Sequence, residues 1–201
     1  MTYRNRLTIL TLACLTTTLL AACSSTSPEA GRPNTAPPTT APTAVPTSTT
    51  PPNSSTPPSV APDRPSTANG LTLAAAEVFV RYYSDLMNYA SSSGDGAAML
   101  RASDAGCENC KAYADFVKIS NAANGLLTGD YREHITDVSE LVRGQSGKVG
   151  GSASVKVGAY ISRETPSATP IVSEATNYKR EFALSPQGGN WVMYEMKLVE
   201  Q

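Results

Sequence analysis

The feature that most limits what this chain can fold into is a proline-rich tract from Ser24 to Asn69. The tract contains 12 prolines, 10 threonines, 8 serines and no aromatic residue. Such a stretch has too little apolar surface to offset the entropy lost on ordering it, and its prolines favour an extended backbone. We therefore predict a disordered stalk within residues 23–69 and one folded domain over residues 70–201, which hold 12 of the 13 aromatic residues.

The composition of the stalk leaves a second interpretation open. Segments rich in serine, threonine and proline are also typical of glycosylated, mucin-like stalks. The pairs Thr39-Thr40 and Thr49-Thr50 would be suitable acceptors. Composition alone does not decide between a bare spacer and a glycosylated one.

Residues 1–22 have the order of a secretory signal peptide. Arg4 and Arg6 precede an apolar stretch from Leu7 to Ala22, which ends in small residues. The stretch has 16 residues and includes five threonines. A membrane-spanning helix needs about 20 mostly apolar residues, so we expect a cleaved signal rather than a permanent anchor.

The end of this signal carries a more specific motif. Leu20-Ala21-Ala22-Cys23 resembles the lipobox of bacterial lipoproteins at all four positions. The resemblance implies that the Cys23 thiol receives a diacylglycerol, that cleavage removes residues 1–22, and that Cys23 becomes the first residue. Two acyl chains hold a protein on a bilayer where one would not. We therefore expect attachment to the extracytoplasmic face of the bacterial cell membrane; the alternative is a secreted protein with an incidental cysteine.

Two cysteines remain once Cys14 has left with the signal and Cys23 carries lipid. Cys107 and Cys110 lie three residues apart, directly before a helical pattern. Positions with this spacing in a helical turn are about 5 Å apart, within disulfide range, and cysteines outside the cytoplasm are expected to oxidise. We predict a structural disulfide that fixes the start of the helix. A thiol redox centre is the alternative, whereas zinc would need two more ligands in a domain that offers only His134.

The first half of the domain is predicted to be helical. Apolar residues recur at steps of three and four, which indicates one long amphipathic helix that ends at Ser91–Gly94. These apolar residues are Ala76, Phe79, Val80, Tyr83, Leu86, Met87 and Ala90. A short helix is predicted at 97–100, capped by Asp95. A third is predicted from Glu108 to Leu127, with Tyr113, Phe116, Val117 and Ala123 facing inward.

After Gly129 the hydrophobic period changes to two, which is typical of strands. We predict strands near 132–143, 149–161 and 174–185 and a last one in which Val192, Tyr194, Met196 and Leu198 share a face. Glycine- and proline-containing turns separate them. Helices followed by an antiparallel meander indicate an α+β domain with its helices on one face of the sheet.

Three motifs together resemble a nuclear-transport-factor-2-like domain. They are the opening helix with Ala76, Phe79, Tyr82 and Tyr83, the Cys107/Cys110 pair, and Trp191 with Tyr194. The whole chain is similar to small bacterial surface lipoproteins of unknown function with a lipobox, a stalk and one such domain. The resemblance implies a cone of about three helices on a curved four-stranded antiparallel sheet, with a cavity open at one end. It also implies that a homodimer can form through the sheet.

Sequence motifs for catalysis are absent: the chain has no Gly-x-Ser-x-Gly, phosphate loop or paired-histidine motif. We accordingly predict no catalytic residue, no metal and no cofactor. Some members of the resembling superfamily are enzymes that use a carboxylate with a tyrosine or a second acid. The residues that would serve here are Asp85, Tyr82, Tyr83, Tyr89 and His134.

The main functional hypothesis is a lipid-anchored binding or cell-envelope accessory protein without catalytic activity. Residues 70–201 hold 12 basic and 15 acidic residues without a basic block, which disfavours nucleic acid as a partner. The expected partners are the membrane, a small apolar ligand or another protein, and the predicted cavity or sheet-face contacts are Tyr83, Met87, Phe182 and Tyr194. The alternatives are a hydrolase or isomerase acting in the cone and a thiol oxidoreductase using Cys107 and Cys110.

Overall fold

The computed structural model describes residues 60–200, which form a mixed α+β domain. Its helical elements within that range are a 3-10 helix at Ser66–Ala68, α1 (Leu73–Ser93), α2 (Ala97–Arg101) and α3 (Glu108–Ile119). Its strands are β1 (Leu127–Gly129), β2 (Glu133–Arg143), β3 (Val149–Val157), β4 (Tyr160–Ser162), β5 (Ile171–Ser173), β6 (Thr176–Gln187) and β7 (Asn190–Glu200). The predicted order of helices followed by strands is confirmed.

Helix α1 forms the centre of the core, as its pattern predicted. The Thr72 hydroxyl caps its first turn by accepting a hydrogen bond from the Ala75 amide at 3.0 Å. The helix ends at Gly94, whose φ of 80° lies in the left-handed region that glycine adopts without strain. All seven predicted apolar positions of this helix are buried, and all of them except Ala90 belong to the core cluster.

The strands make two antiparallel sheets. The larger has the order β2-β3-β6-β7, and the smaller has the order β1-β4-β5. The four predicted strands correspond to the larger sheet, but the predicted single strand over 149–161 is wrong because it divides into β3 and β4. The chain turns between them at Gly158, where a Cβ atom would overlap the Asp130 carboxylate. The smaller sheet was not predicted, since each of its strands is only three residues long.

Helix α3 ends at Ile119, eight residues earlier than predicted. Polar side chains replace the helical hydrogen bonds at this point: the Asn124 amide donates to the Ile119 carbonyl at 2.8 Å, and the Asn121 amide donates to the Val117 carbonyl at 2.9 Å. Asparagine side chains compete with the helix backbone in this way. Phe116 and Ala123, both predicted to face inward, are exposed.

The predicted alternation in the last strand is also wrong. Ala183 on β6 pairs with Glu195, whereas the next residue, Leu184, pairs with Met193, so Tyr194 is an extra, bulged residue. A bulge of this kind shifts the side-chain alternation by one position. As a result Trp191, Met193 and Met196 all belong to the core cluster, whereas Tyr194 does not.

The folded domain begins before residue 70. The Arg64 guanidinium donates to the backbone carbonyls of Ala68 at 3.1 Å and Trp191 at 2.9 Å, and it lies 4.7 Å from the ring centroid of Phe79. Ala68 is completely buried. The predicted boundary at Gly70 is therefore too late. The predicted signal peptide, Cys14, Cys23 and the rest of the stalk lie outside the described residues.

Replacing Arg64 by alanine is expected to destabilise the domain. The change removes two charge-assisted hydrogen bonds and a cation–π contact, so the free energy of unfolding should fall by about 2 kcal/mol or more. Urea denaturation of the full chain measures the change. The control is Arg101→Ala on the exposed end of α2, and equal effects of the two substitutions would show that the segment before residue 70 contributes nothing.

Candidate functional site

A buried ion pair lies at the centre of the candidate site. Arg180 on β6 is 2% exposed and Glu133 at the start of β2 is 8% exposed. Arg180 Nη1 donates to Glu133 Oε1 at 2.6 Å and Nη2 donates to Oε2, which makes the pair bidentate. Burial alone would lower the pKa of Arg180, but the charge and hydrogen bonds of Glu133 outweigh it and raise that pKa above its usual value. Arg180 therefore stays charged inside the domain.

The backbone of Glu133 is held by helix α1. Asn88 Oδ1 accepts a hydrogen bond from the Glu133 amide at 2.9 Å, and Asn88 Nδ2 donates to the Glu133 carbonyl at 2.9 Å. One side chain thus completes both backbone hydrogen bonds of the residue, as a neighbouring strand would. This contact fixes α1 against β2 and places the Glu133 carboxylate opposite Arg180.

Two cavities lie on the α3 side of the ion pair, and we refer to them together as the α3 cavities. The outer one, about 330 Å³, opens between α3 and β7. The inner one, about 110 Å³, is lined by residues of helices α1 and α3 and of both sheets. Both are lined by Met87, Tyr113, Arg180 and Leu198. The remaining lining residues are mainly aromatic or aliphatic and include Phe116, Tyr131, Val157, Tyr160, Tyr178 and Met196.

The tyrosine on the shared wall of these cavities is already hydrogen-bonded to the protein. The Tyr113 hydroxyl lies 2.6 Å from Ser91 Oγ and donates to the Met87 carbonyl at 3.3 Å. Burial raises the pKa of Tyr113, so its hydroxyl is neutral at physiological pH. The α3 cavities therefore offer mainly packing surface.

A third cavity lies between the polar face of α1, the start of β2 and residues 60–62; we call it the α1–β2 cavity. It has a volume of about 550 Å³. Its lining is largely polar and includes Arg81, Ser84, Asp85, Tyr89, Arg132 and His134. Partial burial and the nearby Glu133 charge raise the pKa of Asp85, and Arg132 opposes them.

The four predicted contact residues are not brought together. Of these, Met87 lines the α3 cavities, whereas Tyr83 is fully buried and its hydroxyl bonds to Ser103 Oγ at 2.8 Å. Burial raises the pKa of Tyr83 to about 12. Phe182 packs in the core. The Lys148 ammonium lies 3.3 Å from the ring centroid of Tyr194, in a cation–π contact.

The residues considered for catalysis separate into two groups. Asp85, Tyr89 and His134 line the α1–β2 cavity. Tyr82 and Tyr83 instead pack against Phe79, with ring centroids 6.3 and 5.9 Å away. These carboxylate, phenol and imidazole groups therefore lie outside the α3 cavities, although they were expected in the interior of the cone.

Arg180, Glu133 and Tyr113 were not predicted as site residues from the sequence. One signal could have identified Arg180: it falls at an inward position of β6, two residues before Phe182, in a strand that alternates apolar and polar residues. A charge at such a position needs a buried partner. No comparable pattern marks Glu133, which begins an edge strand whose other residues are half-buried or exposed.

The cysteine pair forms the predicted disulfide. Cys107 and Cys110 are bonded, with Cα atoms 5.3 Å apart, and Cys107 is the N-cap of α3. Both residues are at most 2% exposed, whereas reactive cysteines are typically partly exposed. This arrangement is typical of a disulfide that fixes the start of a helix.

Within residues 60–200, no group of three or more histidine, cysteine, aspartate or glutamate side chains is arranged to hold a metal ion. In the same range, no helix combines the length and hydropathy needed to cross a bilayer.

Residues 44–197 match a family described as a family of unknown function, DUF6318. The chain belongs to this family. No curated protein matches the DUF6318 chain.

Three solved structures are similar to the DUF6318 chain at low identity. The intermembrane space region of the chloroplast protein ARC6 is 13% identical, with a TM-score of 0.45 over 63% of this chain and 95% of that one. Aln2 from a Streptomyces species is 15% identical, with a TM-score of 0.39 over 63% and 89%. A multiply substituted variant of Rd1NTF2_05 is 12% identical, with a TM-score of 0.36 over 62% and 96%.

Replacing Glu133 by glutamine is expected to cost the DUF6318 chain much of its stability. The substitution keeps the shape of the side chain but leaves the Arg180 charge buried without a counter-charge, so the free energy of unfolding should fall by about 3–5 kcal/mol. Chemical denaturation measures this change in the free energy of unfolding. The control, Glu108→Gln, breaks the exposed pair with Lys111 and should have little effect. A Glu133→Gln protein as stable as the control would contradict the central role of the pair.

Proposed function

We propose that the protein is a lipid-anchored, extracytoplasmic binding protein of the bacterial cell envelope, without catalytic activity. The support for the anchor is the match of Leu20–Cys23 to a lipobox. The support for binding is the pair of α3 cavities, which is the observation that carries the proposal. The occupant of these cavities is a small apolar ligand.

We assign the described domain to the nuclear-transport-factor-2-like cone. The supporting features are the block of helices before the strands, the central helix α1 packed in the core, and a four-stranded antiparallel sheet. The resemblance implies a cavity open at one end, and the outer cavity opens between α3 and β7.

The chemistry of the cavity walls favours an apolar ligand. Arg180 and Tyr113 are the main polar groups on the shared wall, and both already have protein partners. The remaining shared side chains, Met87 and Leu198, are apolar, and Leu198 is 52% exposed. Covering such surface contributes about 25 cal/mol per Å². The outer cavity is also within the size range of ligand pockets, roughly 300–1,000 Å³.

Replacing Cys23 by serine is expected to release the protein from membranes. Without the thiol no acyl chains can be attached, and the free energy of membrane binding from buried methylenes is lost. Fractionation of cells and incorporation of labelled fatty acid measure the change. The matched control is Cys14→Ser, which alters a cysteine within the predicted signal and should leave both attachment and labelling intact. Continued sedimentation of the Cys23 variant with membranes, together with an unlabelled wild-type chain, would contradict the anchor.

Replacing Leu198 by arginine is expected to weaken binding of an apolar probe. The substitution introduces a charge at the mouth of the α3 cavities, and fluorescence titration of the full chain with phenylnaphthylamine measures the affinity. We expect a loss of about tenfold or more, equivalent to roughly 1.4 kcal/mol.

The control for this experiment is Val142→Arg, which places the same charge on an exposed valine of β2 outside the α3 cavities. It should leave the affinity unchanged. Equal affinities of both variants and the wild-type chain would show that the probe does not occupy the α3 cavities.

One observation favours a second candidate function, a hydrolase or isomerase. Asp85, Tyr89 and His134 line the same cavity, and the pKa of Asp85 is raised, as suits a general acid or base. This chemistry would take place in the α1–β2 cavity. The test is turnover of a panel of esters and amides. Turnover that is lost in both Asp85→Asn and His134→Gln would favour the enzyme over the binding protein.

A further inference from the structure

The α1–β2 cavity is lined by a different set of α1 residues from the α3 cavities. Its helical wall comes from Arg81, Ser84, Asp85, Asn88 and Tyr89, which recur at steps of three and four along α1. The Asn88–Glu133 backbone bridge closes the cavity toward the core. A ligand bound here would therefore contact side chains other than those that line the α3 cavities, apart from Glu133.

Several charged and polar groups of this cavity are already engaged. Arg81 pairs with Glu77 at 3.2 Å and lies 3.5 Å from the Ile135 carbonyl. The Glu133 carboxylate is held by Arg180, and the Asn88 amide is held by the Glu133 backbone. These groups shape the cavity, and the charges of Arg81 and Glu133 are already balanced by Glu77 and Arg180.

Asp85 and Arg132 differ from these engaged groups in their charge pairing. Within residues 60–200, neither takes part in an ion pair. Both line the cavity, and the charge of Arg132 acts on the Asp85 carboxylate. Among its charged groups, the cavity therefore presents one anion and one cation that lack ion-pair partners within residues 60–200 and whose charges act on each other.

We propose that the α1–β2 cavity is a second ligand site, for a small zwitterion that carries an ammonium group and an oxyanion. The ammonium group binds the Asp85 carboxylate, and the oxyanion binds the Arg132 guanidinium, whose planar donors match a carboxylate or a phosphate. The nearly buried Tyr89 and the half-buried Ile135 provide apolar surface beside the two charges. The volume of about 550 Å³ suits an amino acid or a short peptide.

The same pair of charges also occurs in a phosphoethanolamine headgroup. Both sources share an ammonium that can donate hydrogen bonds and an oxyanion a few bonds away. They differ in the geometry of the oxyanion, so soluble probes separate them. Alanyl-alanine represents the peptide, and phosphoethanolamine represents the headgroup. Phosphocholine serves as the control whose quaternary ammonium cannot donate a hydrogen bond.

Calorimetric titration of the full chain in detergent tests the proposal. At least one of the two zwitterions should bind, and N-acetylation or C-amidation of the dipeptide, or replacement of phosphoethanolamine by phosphocholine, should weaken binding about tenfold or more. Asp85→Asn and Arg132→Gln should each weaken it by a similar factor. The control is Arg101→Gln, an exposed arginine outside this cavity, which should bind normally.

A double-mutant comparison assigns each end of the ligand. In Arg132→Gln, amidation of the dipeptide should have little further effect, whereas acetylation should still weaken binding; Asp85→Asn should show the reverse. If phosphoethanolamine binds and the dipeptide does not, the site is assigned to a headgroup. The wild-type chain should then bind phosphocholine more weakly than phosphoethanolamine, and Asp85→Asn should remove this difference in affinity. Absence of binding by both zwitterions, or binding that neither substitution alters, would overturn the proposal.

The outcome is independent of the proposed apolar ligand. Leu198→Arg changes the mouth of the α3 cavities and should bind the zwitterion as the wild-type chain does. Arg132→Gln should in turn leave binding of phenylnaphthylamine unchanged. Failure of one site therefore leaves the other to be judged on its own result.

Discussion

The domain depends on the buried pair formed by Arg180 and Glu133. It connects β6, a central strand of the larger sheet, with the edge strand β2, and Asn88 connects that edge to the central helix. Removing two charges from water costs several kcal/mol per ion, which is recovered only when the geometry and hydrogen bonding are good. The bidentate contact and the complete hydrogen bonding of the Glu133 backbone supply those conditions. A hydrophobic pair could provide similar stability but would lack the directional hydrogen bonds that join β6 to β2 here.

This arrangement also determines where the cavities lie. Arg180 forms part of the wall of both α3 cavities, while Glu133 contributes to the inner cavity and to the α1–β2 cavity. Because the pair satisfies its own charges, the α3 cavities remain largely apolar in character. Asp85 and Arg132 lie on the other side of the bridge, without ion-pair partners among the described residues. Different residues of helix α1 thus line the two groups of cavities, and the α1–β2 cavity has more charged side chains in its walls.

Local patterns predicted the elements best where they are long and regular. The apolar stripe of α1 and its end at Gly94 are as expected, because a long amphipathic helix repeats its signal over about five turns. The disulfide between Cys107 and Cys110 was predictable for a similar reason, since their spacing alone places them within bonding distance. The early end of α3 was harder to predict, because asparagine side chains there compete with the helix for backbone hydrogen bonds.

Local sequence was enough for the short-range features: the Leu20–Cys23 motif, the proline-rich tract, the order of helices and strands, and the cysteine pair. The tertiary structure alone decided which side chains meet. A single bulge at Tyr194 shifted the side-chain alternation expected for β7 by one position, and the pairing of Arg180 with Glu133 joins residues 47 positions apart. Spacing along the chain carries no information about such contacts, because they depend on the register between strands and on the packing of a helix against them. The candidate sites consist of contacts of this kind, so they became visible only in the folded domain.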